Sequence, residues 1–419
     1  MLIFVEKFFS RKNFNKMKKE TNELLEQLLS KIEGKEEFNE LREALFKRGV
    51  EALLNAELTA RLGHKKGEKP TSSNIRKGYS EKTIKTSDGA PKIKVPRDRD
   101  ASFNPIIVPK HKSMSQELED CVLLLYAKGM SNAAIIDFIE QPYGLQYSTS
   151  QVSIITTQLL KDIKEWQQRP LQDQYAVIWI DAIHYKIRQD AKVISKACMI
   201  VLGIDMEGKQ DILSMAIVEN ESAAAWSGIL DDLQSRGLQD ILFLCSDNLK
   251  GLDKAVEAIY PQSVPQICAV PQIRNSLRYV SYKDRKAIVK SIKGIYQASN
   301  EDDAKEGFDK FKEEWNDKYP MAVKSWETNW ENLTAFLGYP KVIRKRIYTT
   351  NIIESFNASL RKYTKNKGVF PTDDAALRSI YLAAQQIRKK WYKARFNWPQ
   401  IYNQLYIYFE DPILQFTTK

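Results

Sequence analysis

Asp181 closes one apolar run, YAVIWIDA, and Asp247 closes another, DILFLCSD. Short apolar runs rich in β-branched and aromatic residues predict buried strands. Side chains at the ends of such strands reach the crevice of an α/β sheet while the strand stays rigid. Two carboxylates brought together there repel unless a cation lies between them. Oxygen ligands, in a chain with only His64, His111 and His184 as imidazoles, point to Mg²⁺ or Mn²⁺ rather than zinc. A third carboxylate would complete sites for two such ions about 4 Å apart, an arrangement suited to in-line phosphoryl transfer. Glu354 is the best candidate, the single acid beside eight Lys and Arg in residues 341–370. An ordinary ion-pairing residue of a basic helix has the same pattern, and on spacing alone that plainer reading is favoured.

Those acids need a frame. YAVIWIDA, KACMIVLGID and ILSMAIV read as strands, the first ending at Asp181, with a turn from Asp205 to Gly208. SAAAWSGILDDLQSRG reads as a helix, and DILFLCSD as a further strand next to the first. This order is an α/β core with an antiparallel entrance. Pro261, Pro265 and Pro271 bracket a short strand, QICAV, in which Cys268 is structural. Helices then cover 272–337, and NIIESFNASLRKYTK is a helix carrying Glu354. Trp226, Trp315, Trp326 and Trp330 read as core. Asp205, Asp211, Glu219 and Asp253 fall in turns or helix starts, where capping explains them.

The N-terminal part has a different character. Residues 1–16 form an aromatic, basic extension with no evident role, and helical periodicity follows over 17–62, ended by Gly63 and His64. Residues 64–112 carry 13 Lys and Arg against 5 Asp and Glu, and Asp88-Gly89 marks a hairpin turn between two alternating stretches. Residues 113–166 read as three helices. Gly129 closes the first, Tyr143-Gly144 turns after the second, and Ser148 with Gln151 forms a capping box for the third. Val152, Ile155 and Leu159 face inward on the third, while Ser150, Gln151, Ser153, Thr156, Thr157 and Lys161 point outward. That layout fits a helix-turn-helix, and it also fits any small helical bundle.

Composition narrows the class. The chain has 419 residues with 64 Lys and Arg against 53 Asp and Glu, a net charge of +11 that suits a polyanionic partner. Four dispersed cysteines and no CxxC pair argue against a disulfide framework or zinc ribbon. The apolar runs are too short and too broken by charge for a membrane span or secretory signal, so a cytoplasmic location is expected.

IDAIHYKIR, LGIDMEGKQDIL, the Trp226 helix, RGLQDIL, SDNLKGL, QICAVPQIRNS and YTTNIIESFN together resemble the mutator-type bacterial insertion-sequence transposases. TARLGH, VPRDR, LYAKGMS and NKGVFP extend the resemblance, in order, from about residue 20 to the C-terminus. The resemblance implies an RNase H-like α/β catalytic core interrupted by an all-helical insertion, behind an N-terminal, mainly helical DNA-binding region. It implies a DDE triad of Asp181, Asp247 and Glu354 holding two Mg²⁺ or Mn²⁺ ions. The expected activity is metal-dependent cleavage and strand transfer at the terminal inverted repeats of the element and at target DNA, by a homodimer, nucleoid-associated when DNA-bound. The expected divisions are 1–63 (helical), 64–112 (basic, with the hairpin), 113–170 (helix-turn-helix-like), 171–274 (first part of the core), 275–340 (insertion) and 341–419 (last part of the core and C-terminal helices).

Around that triad, Lys186, Arg188, Arg274, Asn275, Arg344, Arg346, Arg361 and Lys362 are expected at the DNA backbone, where contacts position without reading sequence. Ser150, Gln151, Ser153 and Thr156 are expected on the DNA-reading helix. The family usually carries Cys-x-x-His after its second aspartate, whereas this chain has Cys268 and Pro271. Proline neither binds metal nor donates a hydrogen bond, so a catalytically impaired, transposase-derived DNA-binding protein is the alternative.

Overall fold

A computed structural model describes residues 23, 26–70, 73–86, 89–110, 114–143, 148–247, 251–347, 351–391 and 397–417. The extension at 1–16, Asp88 and Gly144 lie outside them. The chain forms two compact units, one of residues 1–123 with 132–153, the other of 124–131 with 154–419.

In the first unit, α1 (Lys35–Leu62) buries Val50, Leu54, Leu58 and Leu62, a stripe at helical spacing. Gly63 ends it at φ 74°, a left-handed cap that glycine adopts without a Cβ penalty. The hairpin forms as expected from β1 (Arg76–Thr83) and β2 (Lys92–Asp98), paired antiparallel. Ile84, Ile93 and Val108 pack with Val50 and Leu54 into a small core.

Three helices follow, α2 (Gln116–Ala127), α3 (Asn132–Tyr143) and α4 (Thr149–Gln167). The cap at the start of α4 is reciprocal: Gln151 N donates to Ser148 Oγ at 3.3 Å, and Ser148 N donates to Gln151 Oε1 at 3.2 Å. One expectation on α4 fails. Thr156 is 2% exposed, because it falls on the stripe of Val152, Leu159 and Ile163, whose 3–4 spacing makes one helix face. Ile154, by contrast, is exposed.

The second unit is built on a mixed five-stranded sheet of β3 (Gln174–Gln189), β4 (Lys192–Asp205), β5 (Gln210–Val218), β6 (Asp240–Ser246) and β7 (Val264–Ile267). Their order is β5-β4-β3-β6-β7. The β3–β4 and β4–β5 pairs are antiparallel, and β3–β6 and β6–β7 are parallel. Two expected boundaries move. Strand β3 does not end at Asp181 but runs eight residues further, because β4 pairs with it from Asp181↔Ile200 to Gln189↔Lys192. Over that extension Ile183 and Ile187 are buried while His184, Lys186 and Arg188 are exposed, the period-two pattern of a strand. The expected strand QICAV stops at Ile267. Cys268 begins α7 (Ala269–Ser276), whose first turn accepts Pro271 because no intrahelical N–H bond is lost there.

Helices cover both faces of the sheet, which is why β3 and β6 read as continuous apolar runs. Ile178, Ile180 and Met199 pack on Trp226 and Leu230 of α5 (Ala223–Ser235) and Val256 of α6 (Leu252–Ile259). Trp179, Ile183 and Ile187 face the other way, toward Phe356 of α13 (Asn351–Thr364) and Ile380 of α14 (Asp373–Arg388). Between β7 and α13 the chain is helical: α8 (Arg285–Tyr296), α9 (Glu301–Trp315), α10 (Pro320–Thr328), α11 (Trp330–Thr334) and α12 (Lys341–Ile347). Ile292, Phe308, Phe311 and Trp326 are buried there. Helices α15 (Trp398–Tyr408) and α16 (Glu410–Thr417) complete the unit.

Candidate active site

The last paired residues of β3 and β6 are Trp179 and Cys245. Two positions further along these parallel neighbours stand Asp181 and Asp247, so strand register alone brings the two aspartates side by side. Glu354 comes from the first turn of α13, a helix seated on the sheet by Ile353, Phe356 and Leu360. All three acids line one cavity of about 460 Å³.

Asp181 is held at both oxygens. Its Oδ1 accepts from Ala182 N at 2.8 Å, and its Oδ2 accepts from Asn357 Nδ2 at 2.6 Å. Burial, and then the charge of Asp247, push its carboxyl up to about 6. Burial also raises Asp247. A fourth acid, Glu221, just ahead of α5, is raised by burial and then by Asp247, and its Oε1 accepts from Trp226 Nε1 at 3.3 Å. Burial is the first cause of all three shifts, and the charge of Asp247 is the second for Asp181 and Glu221.

Glu354 is placed differently. Its Oε1 lies 3.5 Å from Arg274 Nη1, with Arg274 largely exposed. Among the described residues, no three His, Cys, Asp or Glu side chains are grouped closely enough to hold a metal ion. The cavity therefore presents an aspartate pair, with a glutamate on the same wall drawn toward an arginine.

Of the cations expected at the DNA backbone, Arg274 and Arg361 line this cavity with Asn275. Lys362 is exposed beside them on α13, and Lys186 and Arg188 are exposed on the β3 extension, none of the three in the cavity wall. Arg344 is engaged within the fold. Its guanidinium donates to the carbonyls of Tyr339, Leu337 and Ser299, the last two at 2.7 and 2.8 Å, so it ties backbone together. The Arg346 side chain lies outside the described residues. On α4, Ser150 is exposed, Gln151 serves the cap, and Ser153 Oγ accepts from Asn132 Nδ2 at 2.9 Å. Asp205 caps its turn as expected, whereas Asp211 pairs with Arg169 and Arg388 and Glu219 pairs with Lys196.

Residues 16–394 match the family described as Transposase, Mutator family. The chain belongs to the Mutator family of transposases. A probable transposase of an ISRM3-like insertion sequence element from Sinorhizobium fredii is 36% identical over 93% of this chain and 98% of its own length. A probable insertion-sequence transposase from Corynebacterium diphtheriae is 39% identical over 76% of this chain and 98% of its own. The Drosophila P element transposase strand transfer complex aligns over 68% of this chain and 94% of its own at 8% identity, with a TM-score of 0.34, too distant to carry an argument.

In this Mutator-family transposase, Pro271 forms part of the cavity wall, with Cys268 beside it. Sequence reasoning missed Glu221, Arg278 and Asn357. The signal for Asn357 was present in NIIESFN: three residues after Glu354, it shares the face of α13 that carries the acid. Glu221 had no such mark, since its place beside Asp247 comes from how α5 returns to the sheet. No helix among the described residues is long and apolar enough to cross a membrane.

Proposed function

We propose that Asp181, Asp247 and Glu354 are the catalytic carboxylates of this DNA transposase, cleaving and joining strands at the ends of its insertion sequence. The observation that carries this reading is the convergence of the three acids, from two strands and a distant helix, on one cavity. The order β5-β4-β3-β6-β7, with its antiparallel half and parallel half, supports an RNase H-like description of the core. The helices between β7 and α13 would form the insertion.

The donor chemistry fits Mg²⁺ or Mn²⁺. Two half-buried carboxylates with raised proton affinity are hard oxygen ligands in need of positive charge. Asp181 and Asp247 would hold the first ion, and Glu354, released from Arg274, would help hold a second. When bound, such ions activate the attacking hydroxyl and neutralise the leaving 3′-oxygen. The protein's own part is positional. Ala182 N and the Asn357 amide fix Asp181, and Arg274, Arg278 and Arg361 at the cavity wall would grip the phosphates of terminal-repeat and target DNA. Holding two element ends together calls for a homodimer, working in the cytoplasm at the nucleoid.

A strand-joining assay with Mg²⁺ on terminal-repeat DNA tests this. Asp247→Ala should lower cleavage by roughly 10²–10³-fold or more while leaving DNA affinity nearly unchanged, because the lost group acts on the transition state. Equal loss of binding and cleavage would count against the assignment. DNA binding without cleavage by the unaltered protein would favour the impaired, DNA-binding reading that Pro271 motivates.

A further inference from the structure

Asn357 is 2% exposed and sits in the wall shared by Asp181, Asp247 and Glu354. Its Nδ2 donates to Asp181 Oδ2 at 2.6 Å, yet its Oδ1 is buried with no hydrogen-bond partner. The orientation of the amide is not arbitrary. Turned over, it would press Oδ1 against the carboxylate oxygen, acceptor against acceptor. A buried acceptor left unsatisfied is destabilising, and buried side-chain polar groups in folded proteins are mostly paired. An amide carbonyl is also a regular ligand for hard divalent cations. The helix that carries Glu354 therefore offers a second oxygen one turn further on, unspent, on a residue of the cavity wall.

We infer that Asn357 acts on both sides of its amide: the N–H pins the Asp181 carboxylate, and the carbonyl oxygen is a ligand for the divalent cation bound by the aspartate pair. This rests on the proposed carboxylate site and adds a neutral ligand to it. Asn357 is then a positioning residue for Asp181 and a metal ligand in its own right.

The test is Mn²⁺ binding to the full-length protein without DNA, read as the loss of free-ion signal by electron paramagnetic resonance. Asn357→Ala should weaken Mn²⁺ binding about tenfold or more, the usual scale for a lost ligand or its supporting partner. Asn357→Asp gives up the N–H and sets a second carboxylate against Asp181 Oδ2, so it stays within about threefold of the unaltered protein only if the ion bridges the two oxygens. Thermal melts identify folded variants, and if Asn357→Ala does not fold, Asn357→Asp decides alone. Unaltered Mn²⁺ binding in Asn357→Ala, or a tenfold loss in Asn357→Asp, overturns the ligand role. Asp181→Asn and Asp247→Asn serve as the control for the underlying reading. If they bind Mn²⁺ normally the carboxylate site itself is wrong, whereas if they lose it and Asn357→Ala does not, only the inference fails.

Discussion

Burial, and then Asp247, lift the Asp181 carboxyl from 3.8 to about 6, so the folded chain holds that proton more tightly than the unfolded chain does. Stability contributed by this group is thus fullest below about pH 4 and declines as the pH rises through about 6. At pH 7 the ionised carboxylate costs roughly 2–3 kcal/mol, by the size of that shift. Asp181→Asn should therefore melt at a higher temperature than the unaltered protein at pH 7, with the gap closing near pH 4, while strand joining is lost. The Asn357 amide can turn over to accept from the new side chain, so the hydrogen bond survives. Melting curves at the two pH values check this, and a variant less stable at pH 7 would show that the site is not electrostatically strained. Such a trade of stability for function is common where charge is concentrated for catalysis.

Elements decide where those side chains arrive. Asp181 and Asp247 meet because β3 and β6 are parallel and in register at Trp179↔Cys245, and a slip of one residue would turn one acid to the opposite face. The turn from β4 to β5 keeps the antiparallel half in step. Gly208 there has φ 81°, and a Cβ would lie 2.3 Å from the ring of Trp398. Gly208→Ala should lower stability by roughly 2–4 kcal/mol, combining left-handed backbone strain with overpacking. Chemical denaturation measures the loss, and joining activity per folded molecule should not change because this turn lies outside the cavity wall. An unchanged denaturation midpoint would mean that Trp398 yields freely. At this scale Thr156 is also instructive. Its hydroxyl suggests a surface position, but the 3–4 spacing of α4 outweighs residue type and buries it.

Across the whole molecule the excess charge of +11 sets the expected mode of DNA association. Phosphates neutralised by Lys and Arg release counterions, so affinity falls steeply with salt. If about six to ten phosphates are gripped, affinity for terminal-repeat DNA should drop roughly 10³–10⁵-fold between 50 and 200 mM salt. Titrations by fluorescence anisotropy measure that slope, and a flat response would remove the electrostatic account. Since the exposed Lys186, Arg188 and Lys362 lie outside the cavity wall, their neutralisation should reduce the slope without altering the chemical step.

Apolar runs ending in Asp181 and Asp247, the hairpin around Gly89, the Ser148–Gln151 cap and the helical stretch before Glu354 were all legible from residue order, because strand burial, turn chemistry and capping are local. The family blocks were legible too, being strings of residues. What could not be read locally was which polar groups share a space. Glu221 beside Asp247, Arg274 on Glu354, the Asn357 amide on Asp181 and the Arg344 guanidinium on the Ser299 carbonyl all join positions distant in the chain. Such pairings depend on how strands pair and helices dock, and no local periodicity carries that information.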